Sequence, residues 1–456
     1  MRFLGISRMA GFKLLLGMVL VLALGACAHR DRHAWLPDYD AKRFVLPNGL
    51  TVLFVEDHSA PVVSYTTWFK VGSAWEKPGA TGIAHLFEHM MFKGTPRFSA
   101  KEFHRQLERK GAMINAFTHQ DATVYYEVIA SQHLEAVIDM EADRLANLTL
   151  TQADLDGERE VVKEERRLRV DSDFGAQQTE TLMKLAFPNH PYGWPIIGYQ
   201  KDLNALTLEQ CREFFKNYYQ PANAIVTIAG DFDRRQVQKW IEKYYGVIKG
   251  HPVKPLELPA ASGSGRELRA EIRRPVNAES LQMGYFMPSM FEADADKLSM
   301  LAWTLFGMSS SRANLKLVRE KQLVLDVGAE ANPKRFPFLF MVWAGMKSGV
   351  PAAAAEREIE GLIEEIKRNP PSVEELNRVK NAIRYSVINE AKSVAGVASW
   401  LASGEFYWGD YRHIFKTLAK YDKITPQDLT LMAQKYLRKE NRVVVVMKPE
   451  RELVRR

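Results

Sequence analysis

Two stretches of this chain, about 220 residues apart, carry the same punctuation, and a repeat of that length constrains the fold to something built twice. Leu206-Thr207-Leu208-Glu209 is echoed by Ile424-Thr425-Pro426-Gln427, and each leads through a helical stretch to a tyrosine, Tyr218 or Tyr436, 11 residues after the threonine. Asn223-Ala224-Ile225-Val226-Thr227-Ile228 then reads as an apolar strand, and Asn441-Arg442-Val443-Val444-Val445-Val446 stands at the same offset of 218. A second echo, at an offset of 221, pairs Thr151-Gln152-Ala153-Asp154-Leu155 with Ser372-Val373-Glu374-Glu375-Leu376, both helix-start patterns. Two matched spacings point to a duplicated domain; the alternative is coincidence between common helix-then-strand patterns.

The length of 456 residues agrees with two or three domains, each burying its own core. Residues 251–266 are rich in Pro, Gly and Ser and read as a linker between domains at 27–250 and 267–456. Phe44 to Val55 looks like two strands around an Asn48-Gly49 hairpin turn. Val62 to Phe69 and Ala122 to Ile129 are further strands. Amphipathic helices separate them, so the class is α+β, with each half a sheet carrying packed helices.

With 46% hydrophobic and 26% charged residues the composition is that of a globular protein, neither disordered nor a bundle of membrane spans. The long apolar run is at the extreme N-terminus, where Arg2, Arg8 and Lys13 precede Leu14 to Leu24; it reads as a signal peptide, residues 1–26. Leu24-Gly25-Ala26-Cys27 resembles the bacterial lipoprotein signal, which implies cleavage before an acylated Cys27 and a periplasmic location. Ala28 at the next position favours the outer membrane. An uncleaved anchor or an ordinary signal peptide is the alternative. Without residues 1–26 the net charge falls from +7 by the three basic residues to +4, with no basic cluster, so no nucleic-acid partner is expected. If Cys27 carries lipid, Cys211 is the sole remaining thiol and no intramolecular disulfide can form.

The segment with the most chemistry is Thr81-Gly82-Ile83-Ala84-His85-Leu86-Phe87-Glu88-His89-Met90-Met91-Phe92-Lys93-Gly94, a helix with a start signal at Thr81 and a stop at Gly94. Ile83, Leu86, Phe87 and Met90 form an apolar stripe; His85, Glu88 and His89 share the opposite face. Histidines at i and i+4 can both reach one ion, and neutral imidazoles suit Zn²⁺. A carboxylate beside them can take a proton from water whose pKa the zinc lowers to about 7. A catalytic zinc usually has a third protein ligand. Candidates lie in the charged helix from Asp154 to Arg169, where Glu158, Val162 and Glu165 share a face, but helical geometry does not choose Glu165 over its neighbours.

His85-Leu86-Phe87-Glu88-His89, followed 76 positions after His89 by Glu165 within Glu158-Arg159-Glu160-Val161-Val162-Lys163-Glu164-Glu165, resembles the inverted-zincin signature of the pitrilysin/insulinase peptidases, in the size class of the mitochondrial processing peptidase branch. The likeness extends over nearly the whole mature chain, including Asn115-Ala116-Phe117-Thr118. It implies two homologous sheet-plus-helices domains forming a clamshell-like chamber. It also implies one Zn²⁺ held by His85, His89 and Glu165, Glu88 as general base, and Glu158 orienting a ligand from behind. Substrate would lie extended along Asn115, Ala116 and Phe117 by β-addition, which favours peptides and unfolded segments. For Asn115 a plain turn role is an equal alternative.

The family's second, zinc-free half supplies an arginine and a tyrosine to substrate. Arg319 fits the arginine, but Gln322-Leu323-Val324-Leu325-Asp326 has no tyrosine, and Leu325 cannot donate a hydrogen bond. Loss of one oxyanion donor costs about 10²–10³ in turnover. The resemblance therefore implies a partner, a related zinc-free subunit or a second copy in a homodimer. Two functions follow: a zinc endopeptidase, or a non-catalytic peptide-binding subunit. His104, His119, His133, His190 and His413 read as surface or packing residues, with His119 close to the proposed substrate strand.

Overall fold

The apolar runs become strands of two sheets. The computed structural model describes residues 39–258, 261 and 263–450. The leader peptide and Cys27 lie outside the described residues. The first sheet holds β1 (Lys42–Val45), β2 (Thr51–Glu56), β3 (Val62–Phe69), β4 (Met113–Thr118), β5 (Thr123–Ala130) and β6 (Ala224–Gly230), ordered β1-β2-β6-β3-β5-β4. The second holds β7 (Leu268–Arg274), β8 (Ser280–Met287), β9 (Val324–Glu330), β10 (Phe338–Met346) and β11 (Arg442–Pro449), ordered β7-β11-β8-β10-β9.

Without β1 the two orders correspond strand for strand, and the directions agree as well. β2–β6 and β7–β11 are the parallel pairs, and the pairs that follow are antiparallel. The two halves are homologous domains, as the echoes in the sequence predict. The echo at the offset of 218 also has the same physical basis in each half. Thr207 and Thr425 close capping boxes with Gln210 and Asp428. The Asn223 side-chain amide donates to Tyr218 O at 2.8 Å, and that of Asn441 to Tyr436 O at 2.9 Å, so each helix is pinned to the strand that follows.

The Asn-Gly hairpin forms as expected, with Val45 opposite Thr51. Gly49 has φ 90°, and a Cβ there would come within 2.7 Å of the Ala222 Cβ. β6 is buried at every residue and β11 along most of its length, so both faces of each sheet need a covering layer. One layer comes from each half's own helices. The other is exchanged.

The Phe174–Ala186 helix belongs to the first half by sequence but lies on β11, β7 and β8. Its counterpart Val394–Trp408, from the second half, lies on β6, β3 and β2. Gln178 Nε2 donates to Val445 O at 2.8 Å, and the Trp68 and Phe406 rings stand 5.6 Å apart. Leu182, Phe187 and Tyr192 form a shared core with Phe286, Phe338 and Val443, against which Leu256, Leu258 and Ala261 of the expected linker pack. The described residues from Asp40 onward form one compact unit. No helix among them is long and apolar enough to cross a membrane.

Candidate metal centre

The helix expected from Thr81 to Gly94 runs over Ile83–Met90. Its apolar stripe, Ile83, Leu86, Phe87 and Met90, is buried, with Phe87 packed among Phe214, Phe215 and Tyr219. Thr81 does not cap it. The Thr81 hydroxyl donates to Asp202 Oδ2 at 2.6 Å and accepts from the Tyr199 amide at 3.0 Å. The cap is Glu76, a buried carboxyl accepting from the backbone amides of Gly82 and Ala84, both at 3.0 Å. Burial pushes this carboxyl well above its ordinary range. Local pattern does not single out Glu76, because it reaches the helix across a loop. Gly82, at φ 89°, leaves room for Ile197 O, which a Cβ would approach to 2.6 Å.

The Gln152–Arg166 helix packs against this one through buried Leu155 and Val162 and brings two carboxylates to the histidines. Glu165 Oε2 lies 3.7 Å from His85 Nε2 and 3.4 Å from His89 Nε2. One ligand atom from each of the three residues falls within 4.8 Å of the others. Donors around a tetrahedral ion at about 2.1 Å lie about 3.4 Å apart, so the separations fit a zinc ion. The tertiary structure also separates Glu165 from Glu164. Glu164 turns outward to Arg167 at 2.8 Å, whereas Glu165 Oε1 meets Arg169 Nη1 at 2.8 Å inside the cleft. The helix loosens into a π-turn at Arg167–Asp171, two residues beyond Glu165.

Glu158 stands behind His89, Oε2 to Nδ1 at 3.0 Å, and also meets Lys93. A carboxylate in that place fixes the imidazole's orientation and leaves Nε2 facing the site. Burial, then the neighbouring His89, hold His85 down to about 4, so it is neutral with a free lone pair. Burial acts on His89 in the same sense but is outweighed by hydrogen bonds to Glu158 and Glu165, which raise it to about 9. Glu158 is brought down to about 2 by His89 and Lys93, and Glu165 is lowered chiefly by His89. The His89 proton thus sits where the donors are richest, and metal binding to such a set displaces it.

Glu88, on the same helix face, accepts from the Thr118 hydroxyl at 2.6 Å. Burial raises its carboxyl above the ordinary range, and the Thr118 bond partly offsets this. Thr118 ends β4, the outer strand of its sheet. Asn115, Ala116 and Phe117 on that strand, with His85, Glu88, His89, Glu158 and Glu165, line a single cleft of about 1030 Å³. Asn115 Oδ1 accepts from the Ala116 amide at 2.8 Å.

The lining residues fall between His85 and Ile197, all in the first half. Arg319 is exposed near the end of the π-helical segment Asn314–Glu320 that precedes β9 and is not among the cleft's lining residues; Leu325 on β9 is 68% exposed. The His119 ring lies 4.8 Å from that of Phe117, tilted against it, but does not line the cleft, whereas His104, read as surface or packing, does.

Residues 51–200 match the profile of the insulinase peptidases, family M16, and residues 205–383 that of the M16 inactive domain. The zinc protease PqqE of Helicobacter pylori is 28% identical over 453 residues, spanning 98% of this chain and all of that protein. The crystal structure of a protease from Helicobacter pylori superposes with a TM-score of 0.85 at 28% identity, covering 90% of this chain and 100% of that one. The periplasmic protease PqqL of Escherichia coli has the same fold at a TM-score of 0.74 and 19% identity; 91% of this chain covers 48% of it.

Proposed function

This chain belongs to the insulinase family of peptidases, M16, and on that premise we propose that it is a zinc-dependent endopeptidase acting on peptides or unfolded protein segments. The observation that carries this reading is the convergence of His85, His89 and Glu165 in a cleft where Glu88 shares the same helix face. Zinc in such a site supplies Lewis acidity to water and to the scissile carbonyl. Glu88 accepts the proton of the attacking water and returns it to the leaving amine, a role suited to a carboxyl whose affinity for protons burial has raised. Glu158 holds His89 in place. The free edge of β4 pairs main chain to main chain with an extended substrate, so selection is for unfolded chain.

Among the described residues the second half contributes nothing to the cleft, and the Leu325 side chain offers no hydrogen bond. Both facts favour completion of the site by another chain, a related zinc-free subunit or a second copy. The same facts support a second reading, a peptide-binding subunit with little turnover. The Leu24-Gly25-Ala26-Cys27 signal supports lipid anchoring at Cys27, in the periplasm at the outer membrane.

Metal content of the purified chain beside Glu165→Ala tests the site. About one zinc per chain, lost in the variant, is expected. Glu88→Gln should keep the zinc and lose about 10²–10⁴ in peptide cleavage. Retained zinc with no cleavage by the unmodified chain, alone or with a partner, would leave the binding-subunit reading.

A further inference from the structure

Every carboxylate lining the cleft is engaged: Glu158 with His89 and Lys93, Glu165 with the histidines and Arg169, Glu88 with Thr118. Lys93 and Arg169 are the cations of those pairs. Lys101 is different. It lines the same cleft, is exposed, and its ammonium makes no hydrogen bond or ion pair among the described residues.

Lys101 and His104 share a face of the Ala100–Glu108 helix at i and i+3, while Glu102 and Arg105 pair with each other on the same helix. The His104 ring lies 5.3 Å from that of Phe92, and Phe92, Ala100 and Ile114 line the adjoining wall. An apolar wall thus meets one uncommitted ammonium. Ile114 belongs to β4, so a peptide extended along that strand passes a side chain over this place.

We propose that Lys101, with the wall formed by Phe92, His104 and Ile114, is a specificity subsite for a substrate carboxylate, either an acidic side chain or the free C-terminus of a short peptide. This deepens the peptidase reading and rests on it. A glutamate would lay its methylenes on the wall and its carboxylate against the ammonium, whereas a lysine or arginine in the same place meets like charge. Because Lys101 is exposed, the selection should weaken as ionic strength rises.

The test uses the zinc-loaded full chain and peptides carrying Glu, Gln or Lys at successive positions on either side of the cleaved bond, each as C-terminal acid and amide. At one position Glu is expected to exceed Gln about fivefold in kcat/KM, the size of a partly exposed ion pair. Lys101→Met should bring that ratio to about one, and Lys101→Glu should turn the preference toward Lys. An advantage that follows acid over amide instead identifies the terminal carboxylate as the group recognised. A ratio near one at every position in the unmodified chain, or a preference untouched by Lys101→Met, overturns the proposal. Binding of the same peptides to Glu88→Gln, read by fluorescence anisotropy, separates this from the peptidase reading. A Lys101-dependent preference in binding to Glu88→Gln, with no cleavage of any of the peptides by the unmodified zinc-loaded chain, keeps the subsite and removes the activity.

Discussion

After β3 the first half places a helix whose outer face carries His85, Glu88 and His89; after β8 the second half places Ala295–Phe306, with eight buried residues and no histidine. At the offset of 221 set by Thr151 and Ser372, Glu158 and Glu165 fall on Val379 and Ser386. Val379 is buried in the second core. What the two halves keep in common is the strand order, the helix caps and the asparagines that pin helix to strand. The fold therefore does not depend on the candidate metal site, which one copy carries as a set of side chains on a shared frame.

The exchanged helices give the largest expected effect. Fragments 40–250 and 264–450 should each fail to fold alone, because each sheet loses the helix that covers one face, and should regain structure when mixed. The whole chain should unfold in one denaturant transition; two separated transitions would show that the halves are independent.

Helix starts are the next contrast. Glu76→Ala leaves two buried amides without an acceptor and should cost about 2–4 kcal/mol in thermal unfolding, together with zinc affinity. Asp294 stands before the corresponding helix without capping it and meets Lys435 and Tyr436 near the surface, so Asp294→Ala should cost within about 1 kcal/mol. Equal losses would mean that the first half needs no stronger cap than the second.

Where the halves agree, the costs should agree. Asn223→Ala and Asn441→Ala each remove the same pair of amide bonds and should each lose about 1–2 kcal/mol.

The smallest effect depends on pH. The Arg312 guanidinium holds the Glu375 carboxyl down to about 2, at 2.8 and 3.0 Å. A carboxyl depressed in the folded state adds stability above its unfolded pKa of about 4.3 and loses it as pH falls through the folded value. Glu375→Gln should therefore cost about 1 kcal/mol at pH 7, and the gap from the unmodified chain should close between about pH 4.5 and 2. A gap constant across that window would exclude the ion pair as its source.

Much of this was legible locally. The duplication showed because caps and turns are set by a few neighbouring residues, Thr207 with Gln210 or Asn48 with Gly49, and such signals survive in one dimension. The histidine pair showed for the same reason, since 3.6 residues per turn brings His85 and His89 to one face. Glu165 did not stand apart from Glu164 until the resemblance singled it out. Two residues about 100° apart on one helix are distinguished by what packs against that helix, and Val162 in the core turns Glu165 inward. Glu76, Lys101 and the helix exchange were illegible, since each depends on segments brought together from far along the chain.

The sequence by itself determined the repeat, the sheet-and-helix class and the residues able to bind a metal, because periodicity and short-range capping are properties of neighbours. Only the tertiary structure decided which carboxylate meets the histidines, that among the described residues one half alone lines the cleft, and that each sheet is covered by a helix from the other half. Those outcomes follow from burying the two faces of each sheet at once, a condition no local segment can satisfy.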